Sequence, residues 1–416
     1  MNAAETGHAA ADPNRMMHPD EARAIVLAAT RVLPVEDVPL AAAVSRVLAH
    51  PAVADEDFPP FPAATMDGYA VLAADASPWR EIVGEQTAGF VLDAEVSEGY
   101  AVRITTGSPL PRGADAVVPV ERTELADDHV VIGQEDVHPG ENVRKVGSDL
   151  RNGEEVLPAG TVLGPAELAL VAGLGLNPVA VRRRPRVSVL STGDELVEPG
   201  QPVGPGQIRD SNRFGLLAAL AGAGADVVWH GSARDDRATL RERLEQAMAT
   251  SDVLVTSGGV SMGELDLVKP LLAELADVRI RRIFMKPGKP FTFAVAQSCI
   301  VFGLPGNPVS ALVSFETFIR PALRTMMGCA EIDRPRVPVT LEAETPPTDR
   351  IEMQRARVRV DGEGRLLARP TGSQASSRLA SFVGANALLV IPPRETAFSA
   401  GERVEAMLLA PPVASE

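Results

Sequence analysis

Residues 253–310 run twice from an apolar strand through a glycine-rich turn into a helix, and this repeated unit commits the centre of the chain to an α/β sheet. The apolar run at 253–256 is too short for a helix and meets Ser257, Gly258 and Gly259 at once; helical spacing begins near Leu267. Residues 300–302 lead into Gly303, Leu304, Pro305 and Gly306. Asn307 then stands where an N-cap is expected, with Pro308 at the first helical position, and Val309, Leu312, Phe315, Ile319 and Leu323 follow at helical spacing. An earlier strand at 187–190 enters the turn Ser191, Thr192, Gly193, Asp194, Glu195, and helices over 213–221 and 236–248 flank a strand near Val227. Strands alternating with helices predict a doubly wound sheet, whose ligands lie beyond the carboxyl ends of the strands. All three glycine turns fall at that edge.

Helices that open from glycine turns present N–H donors and a positive dipole end, which suits an anion. Between two of these turns lies Lys286-Pro287-Gly288-Lys289-Pro290, two lysines held by prolines and a glycine. Glu264 and Asp266 add carboxylates nearby, a combination suited to a metal ion bridging to an anionic ligand. There is no GxxxxGK[ST], and Gly258-Gly259 lacks GxGxxG spacing, which argues against a P-loop or dehydrogenase reading.

The remaining segments predict further domains. Residues 1–17 read as a disordered tail; 18–50 and 148–184 form a discontinuous helical linker domain, with helices from Pro19, over 40–48 and over 165–171. Residues 51–147 form an inserted small β domain with strands over 100–105, 116–120 and 129–132, and an ordered loop around Met66-Asp67-Gly68. The α/β domain covers 185–329. Short strands around the hairpin turn Asp361-Gly362-Glu363-Gly364 make 330–416 a β-barrel. Arg182, Arg183 and Arg184 read as a solvated linker.

A net charge of −15 argues against nucleic acid as a partner. The two cysteines, Cys299 and Cys329, form no disulfide framework, and with the six histidines they show no zinc spacing. No stretch is long and apolar enough for a membrane helix and no signal-peptide core is present, so a cytoplasmic location is expected.

Eight motifs in one order resemble the molybdopterin molybdenumtransferase family, whose relatives include the E domain of gephyrin. They are MDGYAV at 66–71, TGSPLPRGADAVV at 106–118, GENVR at 140–144, STGDEL at 191–196, IRDSN at 208–212, SGGVSMGELD at 257–266, KPGKPFTF at 286–293 and GLPGNPVSA at 303–311. The resemblance covers nearly the whole chain from about residue 18. It implies that molybdate is inserted into adenylylated molybdopterin with release of AMP and a requirement for Mg2+. It implies catalytic and metal-binding roles for Glu195, Asp235 and Asp266; Asp235, just ahead of a helix, also reads as an acid stabilised by the helix dipole. The molybdate and substrate side would comprise Arg282, Lys286, Lys289, Ser310, Arg355 and Ser376, with Gly258, Gly259, Ser261, Gly306 and Asn307 at the glycine turns. Arg355 and Arg357 fall on one strand face, so alternation does not separate them. Asp67, Thr106 and Arg144 would complete the site of the opposite subunit, which implies a homodimer with shared active sites. A transient contact with the molybdopterin adenylyltransferase follows from the same resemblance.

The chain departs from the family at Pro62-Ala63-Ala64-Thr65, where Asp-Asn-Ser is frequent. Two other functions stay open on the sequence: a cofactor-binding scaffold without turnover, and a paralogue that handles tungstate or a related pterin. The presence of the acids together with both lysines favours the enzyme.

Overall fold

The computed structural model describes residues 14–133, 137–259 and 267–414. Contacts divide the chain into two compact units. One is Met1–Ala49 with Ala159–Gly164 and Pro178–Glu416; the other is His50–Pro158 with Pro165–Asn177.

The first unit contains the doubly wound sheet. Its elements are β1 (Arg186–Thr192), α1 (Asn212–Gly222), β2 (Asp226–Ala233), α2 (Arg237–Thr250), β3 (Val253–Ser257), α3 (Val268–Leu275), β4 (Asp277–Arg282), β5 (Pro290–Ala296), β6 (Cys299–Leu304) and α4 (Pro308–Ser314). The strand order is β2-β1-β3-β6-β5-β4. The first four strands are parallel, and β5 and β4 continue the sheet antiparallel. Successive residues of β1, β3 and β6 serve opposite faces: Val187, Val189, Val253, Val255, Ile300 and Phe302 enter one core, and Leu190, Leu254, Cys299 and Val301 the other. Burial on both faces is why these strands read as nearly continuous apolar runs. Cys299 is a core thiol, and burial pushes it up to about 12.

The helix Pro19–Ala29 packs on the first of these cores through Ala22 and Val26, and the side chain of His18 accepts the Asp20 N–H at its start. The helix expected over 40–48 is only one 3-10 turn, Leu40–Ala42. Ser45 takes a left-handed conformation, and Val47 and Leu48 then bridge to Val162 and Val181, so their backbone groups serve β pairing instead. Arg183 is not solvated either: its guanidinium donates twice to Asp252, at 2.9 and 3.0 Å, and anchors the entry to β3.

Beyond α4 the chain continues through a π-helical turn, Phe315–Ile319, and the helix Arg320–Met326. A closed five-stranded barrel follows, made of β7 (Arg336–Leu341), β8 (Ile351–Val360), β9 (Leu366–Pro370), β10 (Ala387–Ile391) and β11 (Arg403–Leu408). It closes in the order β8-β9-β7-β11-β10-β8 around Val339, Leu341, Ala356, Val358 and Leu389. The short strand Met285–Lys286 adds itself in parallel to Ile351 and Glu352 of β8.

The second unit is built on a six-stranded sheet, in the order Ala116–Pro119, Gly68–Val71, Tyr100–Ile104, Trp79–Gln86, His129–Val131, Glu124–Ala126. Gly68 is required there, because a Cβ would lie 2.0 Å from the Val118 carbonyl oxygen. Ala63 and Ala64 are buried and pair with Arg144 and Val143, and Thr65 donates its N–H to the Asn142 carbonyl at 2.9 Å. At 63 and 64 the departure from the family therefore places small residues in a packed strand pair. The helix Pro165–Gly173 also belongs to this unit.

Candidate active site

The parallel strands of the first unit deliver their glycine turns side by side. β1 and β3 are neighbours whose connections leave to opposite sides, through α1 to β2 and through α3 to β4, which makes their carboxyl ends the topological switch of the sheet. Gly258 has φ +88, and a Cβ on it would lie 2.4 Å from the Thr192 carbonyl oxygen. Gly259 has φ +66, and a Cβ there would meet Val268 at 2.3 Å. These two positions require glycine both for backbone conformation and for space. The Gly306 turn lies beside Gly258: a Cβ on Gly306 would stand 3.9 Å from the Gly258 Cα.

A cavity of about 330 Å³ opens at this edge, lined among others by Thr192, Glu195, Ser257, Gly258, Gly306 and Asn307. Asn212 holds its floor, donating from Nδ2 to Ser257 Oγ and to the Gly306 carbonyl, both at 2.8 Å. Asn212 in turn opens α1, whose first turn is fixed by the buried Arg213. That guanidinium pairs with Asp210 at 3.1 Å and with both Glu198 oxygens at 2.5 Å. Asp210, Asn212 and Glu198 were not singled out as site residues from the sequence; for Asp210 and Asn212 the signal lay in the motif IRDSN, and Glu198 lies outside it. Asn307 is the N-cap of α4, as its position predicts, but its side chain makes no capping bond and lines the cavity instead.

Carboxylates gather on one side. Burial, and then the charges of Asp194 and Glu195, raise the Asp235 carboxyl above its ordinary value. Asp235 also donates its N–H to Asp194 Oδ1 at 3.3 Å. The helix N-cap role falls to Asp236, which accepts the Thr239 N–H at 2.8 Å. Among the described residues no three His, Cys, Asp or Glu side chains are close enough to hold a metal ion. Ser261, Glu264 and Asp266 lie outside the described residues. Glu195 and Asp235 nevertheless fit a magnesium ion, which takes one or two carboxylates and keeps waters for its other positions.

The cationic residues sit toward the barrel. Lys286 Nζ is 3.3 Å from the buried carboxylate of Glu352 on β8. Lys289 is exposed, and its carbonyl accepts the Ile283 N–H at 3.0 Å; the carbonyl of Arg282 accepts the Met17 N–H at 3.1 Å. Gly288 between the lysines packs near Ser314 of α4, and Ser310 is buried within that helix. Arg355 and Arg357, inseparable by alternation, differ sharply: Arg355 is fully buried and Arg357 exposed. Arg355 lies under residues 373–381, donating to Ser381 Oγ at 3.0 Å and to the carbonyls of Ser373 and Ala375 at 3.1 and 3.2 Å. The Ser376 carbonyl accepts the Val309 N–H of α4 at 3.2 Å. The structure thus makes Arg355 the organiser of a loop that touches α4.

In the second unit, Asp67 accepts from the Thr106 N–H at 2.7 Å and from its hydroxyl at 2.8 Å. These two hydrogen bonds, backbone first, hold the Asp67 carboxyl below its ordinary range. Arg144 is paired with Asp149 and stacks 5.9 Å from the Phe58 ring.

Comparison with known proteins supplies the frame for these residues. Three family profiles match in succession: "MoeA N-terminal region (domain I and II)" over 17–175, "Probable molybdopterin binding domain" over 188–325 and "MoeA C-terminal region (domain IV)" over 339–409. The chain is 35% identical to the molybdopterin molybdenumtransferase of Haemophilus influenzae over 367 residues, covering 87% of this chain and 91% of that protein. It is 34% identical to gephyrin of Dictyostelium discoideum across 90% of this chain, and spans 60% of gephyrin's length. The crystal structure of the molybdopterin biosynthesis MoeA protein of Pyrococcus horikoshii superposes with a TM-score of 0.81 at 31% identity, covering 95% of this chain and all of that one.

Proposed function

Because this chain belongs to the molybdopterin molybdenumtransferase family, we propose that it inserts molybdenum from molybdate into adenylylated molybdopterin and releases AMP. The observation that carries this reading is the cavity at the β1/β3 switch point. Glu195 lines it on one side, with Asp235 near enough for their charges to interact, and glycine turns held by Asn212 line the other. The turns let a ligand approach the backbone closely, as a phosphorylated pterin requires. Glu195 and Asp235 would hold Mg2+, which when bound supplies positive charge to the pyrophosphate. Lys286 and Lys289 attract the molybdate dianion. Arg355 fixes the Ser376 loop against α4, and the buried Ser310 belongs to the same helix. Asp266 acts with the two acids, and Ser261 and Gly259 with the first glycine turn.

Asp67, Thr106 and Arg144 serve the site of a second copy in a homodimer. The tight Asp67–Thr106 pair supports a fixed polar element that needs no side chains from 63 and 64. The molybdopterin adenylyltransferase is the partner that supplies the substrate.

The deciding experiment incubates the purified protein with adenylylated molybdopterin, with and without molybdate and Mg2+, and follows AMP and incorporated molybdenum together. AMP release that needs both ions and matches incorporation supports the transferase. Pterin binding without AMP release under any ion condition overturns it in favour of a scaffold. In the same assay Lys286→Ala raises the molybdate concentration needed for half-maximal rate roughly tenfold, the effect of one lost charge-assisted contact, and leaves pterin affinity unchanged. An unaltered molybdate requirement in a normally folded variant would place the anion elsewhere.

A further inference from the structure

Beyond Arg355, the outer face of the barrel carries arginines that the proposed reaction does not use. Arg355, Arg357 and Arg359 follow one another at alternate positions of β8; the first is buried under the 373–381 loop and the other two lie beyond it. On the neighbouring antiparallel strand β9, Arg369 stands directly opposite Arg357. Like charges in directly opposed positions of a sheet destabilise it, because their Cβ atoms are only about 5 Å apart. The one acid lining this place, Glu342, is already committed to Arg359, whose Nη2 and Nε donate to its Oε1 at 2.5 and 3.2 Å. Arg357 and Arg369 have no acidic partner among the described residues. They border an open cavity of about 510 Å³ lined also by Pro370, Thr371 and Val413. On a chain of net charge −15, an uncompensated pair of guanidinium groups facing a cavity is a local reversal of sign.

We propose that this cavity is a binding site for a dianionic phosphate group, held between the guanidinium groups of Arg357 and Arg369. Two planar forks borne at directly paired positions of adjacent strands, both lining the cavity, suit the tetrahedral oxygens of phosphate, and each fork can bind in bidentate fashion. A bound dianion removes the repulsion that the empty sheet carries. The Thr371 side chain is turned inward, its hydroxyl donating to the Arg355 carbonyl at 3.2 Å, so the charge comes from the arginines. The cavity is larger than phosphate itself and leaves room for the organic part of a phosphate monoester.

The test titrates the full-length protein with inorganic phosphate, AMP and adenosine by calorimetry at low ionic strength, using the wild type, Arg357→Gln/Arg369→Gln and Lys286→Ala. Wild type and Lys286→Ala share a phosphate- and AMP-binding site that adenosine does not occupy, and the double variant loses roughly 100-fold in affinity at that site. AMP binding more tightly than phosphate identifies a monoester site, and equal affinities identify a site for the phosphate group alone; both support the proposal. Binding that survives in the double variant but is lost in Lys286→Ala belongs to the molybdate pocket and overturns it, as does the absence of saturable phosphate binding. A second variant guards against trivial unfolding. Arg369→Glu replaces the like-charge pair by an attractive one, so it raises the melting temperature of ligand-free protein while abolishing phosphate binding. A lowered melting temperature would contradict the repulsion on which the site rests. Neither arm depends on turnover, so failure here leaves the transferase reading untouched.

Discussion

Replacing Asp75 with alanine lowers the stability of the unit holding residues 50–158 by about 3–5 kcal/mol, the usual result of stranding one member of a buried ion pair. Asp75 and Arg80 are almost wholly buried, joined by an Nε–H donated to Asp75 Oδ2 at 2.9 Å. The same carboxylate accepts the N–H groups of Ser77 and Gly99 at 2.8 and 2.9 Å, so its loss leaves three donors without a partner. Each unit holds one of the two tryptophans, Trp79 here and Trp229 in the other, so denaturant unfolding followed by Trp79 fluorescence in a Trp229→Phe background reads this unit alone. A loss below about 1 kcal/mol would show the pair to be dispensable.

Acid titration gives the sign independently. Burial, the largest influence, raises the Asp75 carboxyl, but the Gly99 and Ser77 N–H groups and the Arg80 charge outweigh it and leave it lowered. A carboxyl lowered by folding contributes stability that is fully present above its unfolded value, about 3.9, and is lost as pH falls through the folded value. The wild type therefore sheds stability below about pH 4, where Asp75→Ala, lacking this group, changes less.

Glu195→Gln lowers molybdenum insertion by about 10²–10³-fold with the fold intact, because it removes one of the two described carboxylates that we propose hold Mg2+ and adds no volume. Glu195 is exposed at the cavity wall and supports no core. AMP release and molybdenum incorporation fall together if the carboxylate serves the pyrophosphate. A fall in incorporation alone would assign Glu195 to the molybdate step, and wild-type rates for both would remove it from the site.

Sequence patterning captured those parts of the molecule whose physics is local. Apolar runs ending in Ser257-Gly258-Gly259 and Gly303-Leu304-Pro305-Gly306 can do little but end a buried strand, and both do. What escaped depended on residues far apart in the chain. The helix expected over 40–48 failed because the backbone of Val47 and Leu48 found β partners more than a hundred residues away, which outweigh local helix propensity. Arg183 read as solvated because its partner Asp252 is 69 positions distant. Arg355 and Arg357 were indistinguishable because what covers one and not the other is a loop returning from 373–381, not the strand itself. The Asp75–Arg80 pair has a spacing that carries no helical or strand signature, so only burial reveals it.

Lys286 meets Glu352 before it meets any ligand, and this has a chemical consequence. The lysine belongs to the loop beside α4, yet its strand register and its countercharge both come from the barrel. An arriving anion must compete with a carboxylate that is already in place and cannot be diluted away. The tethered acid thus lowers the net positive charge that the lysine presents to any anion, singly or doubly charged, and fixes where its ammonium group stands.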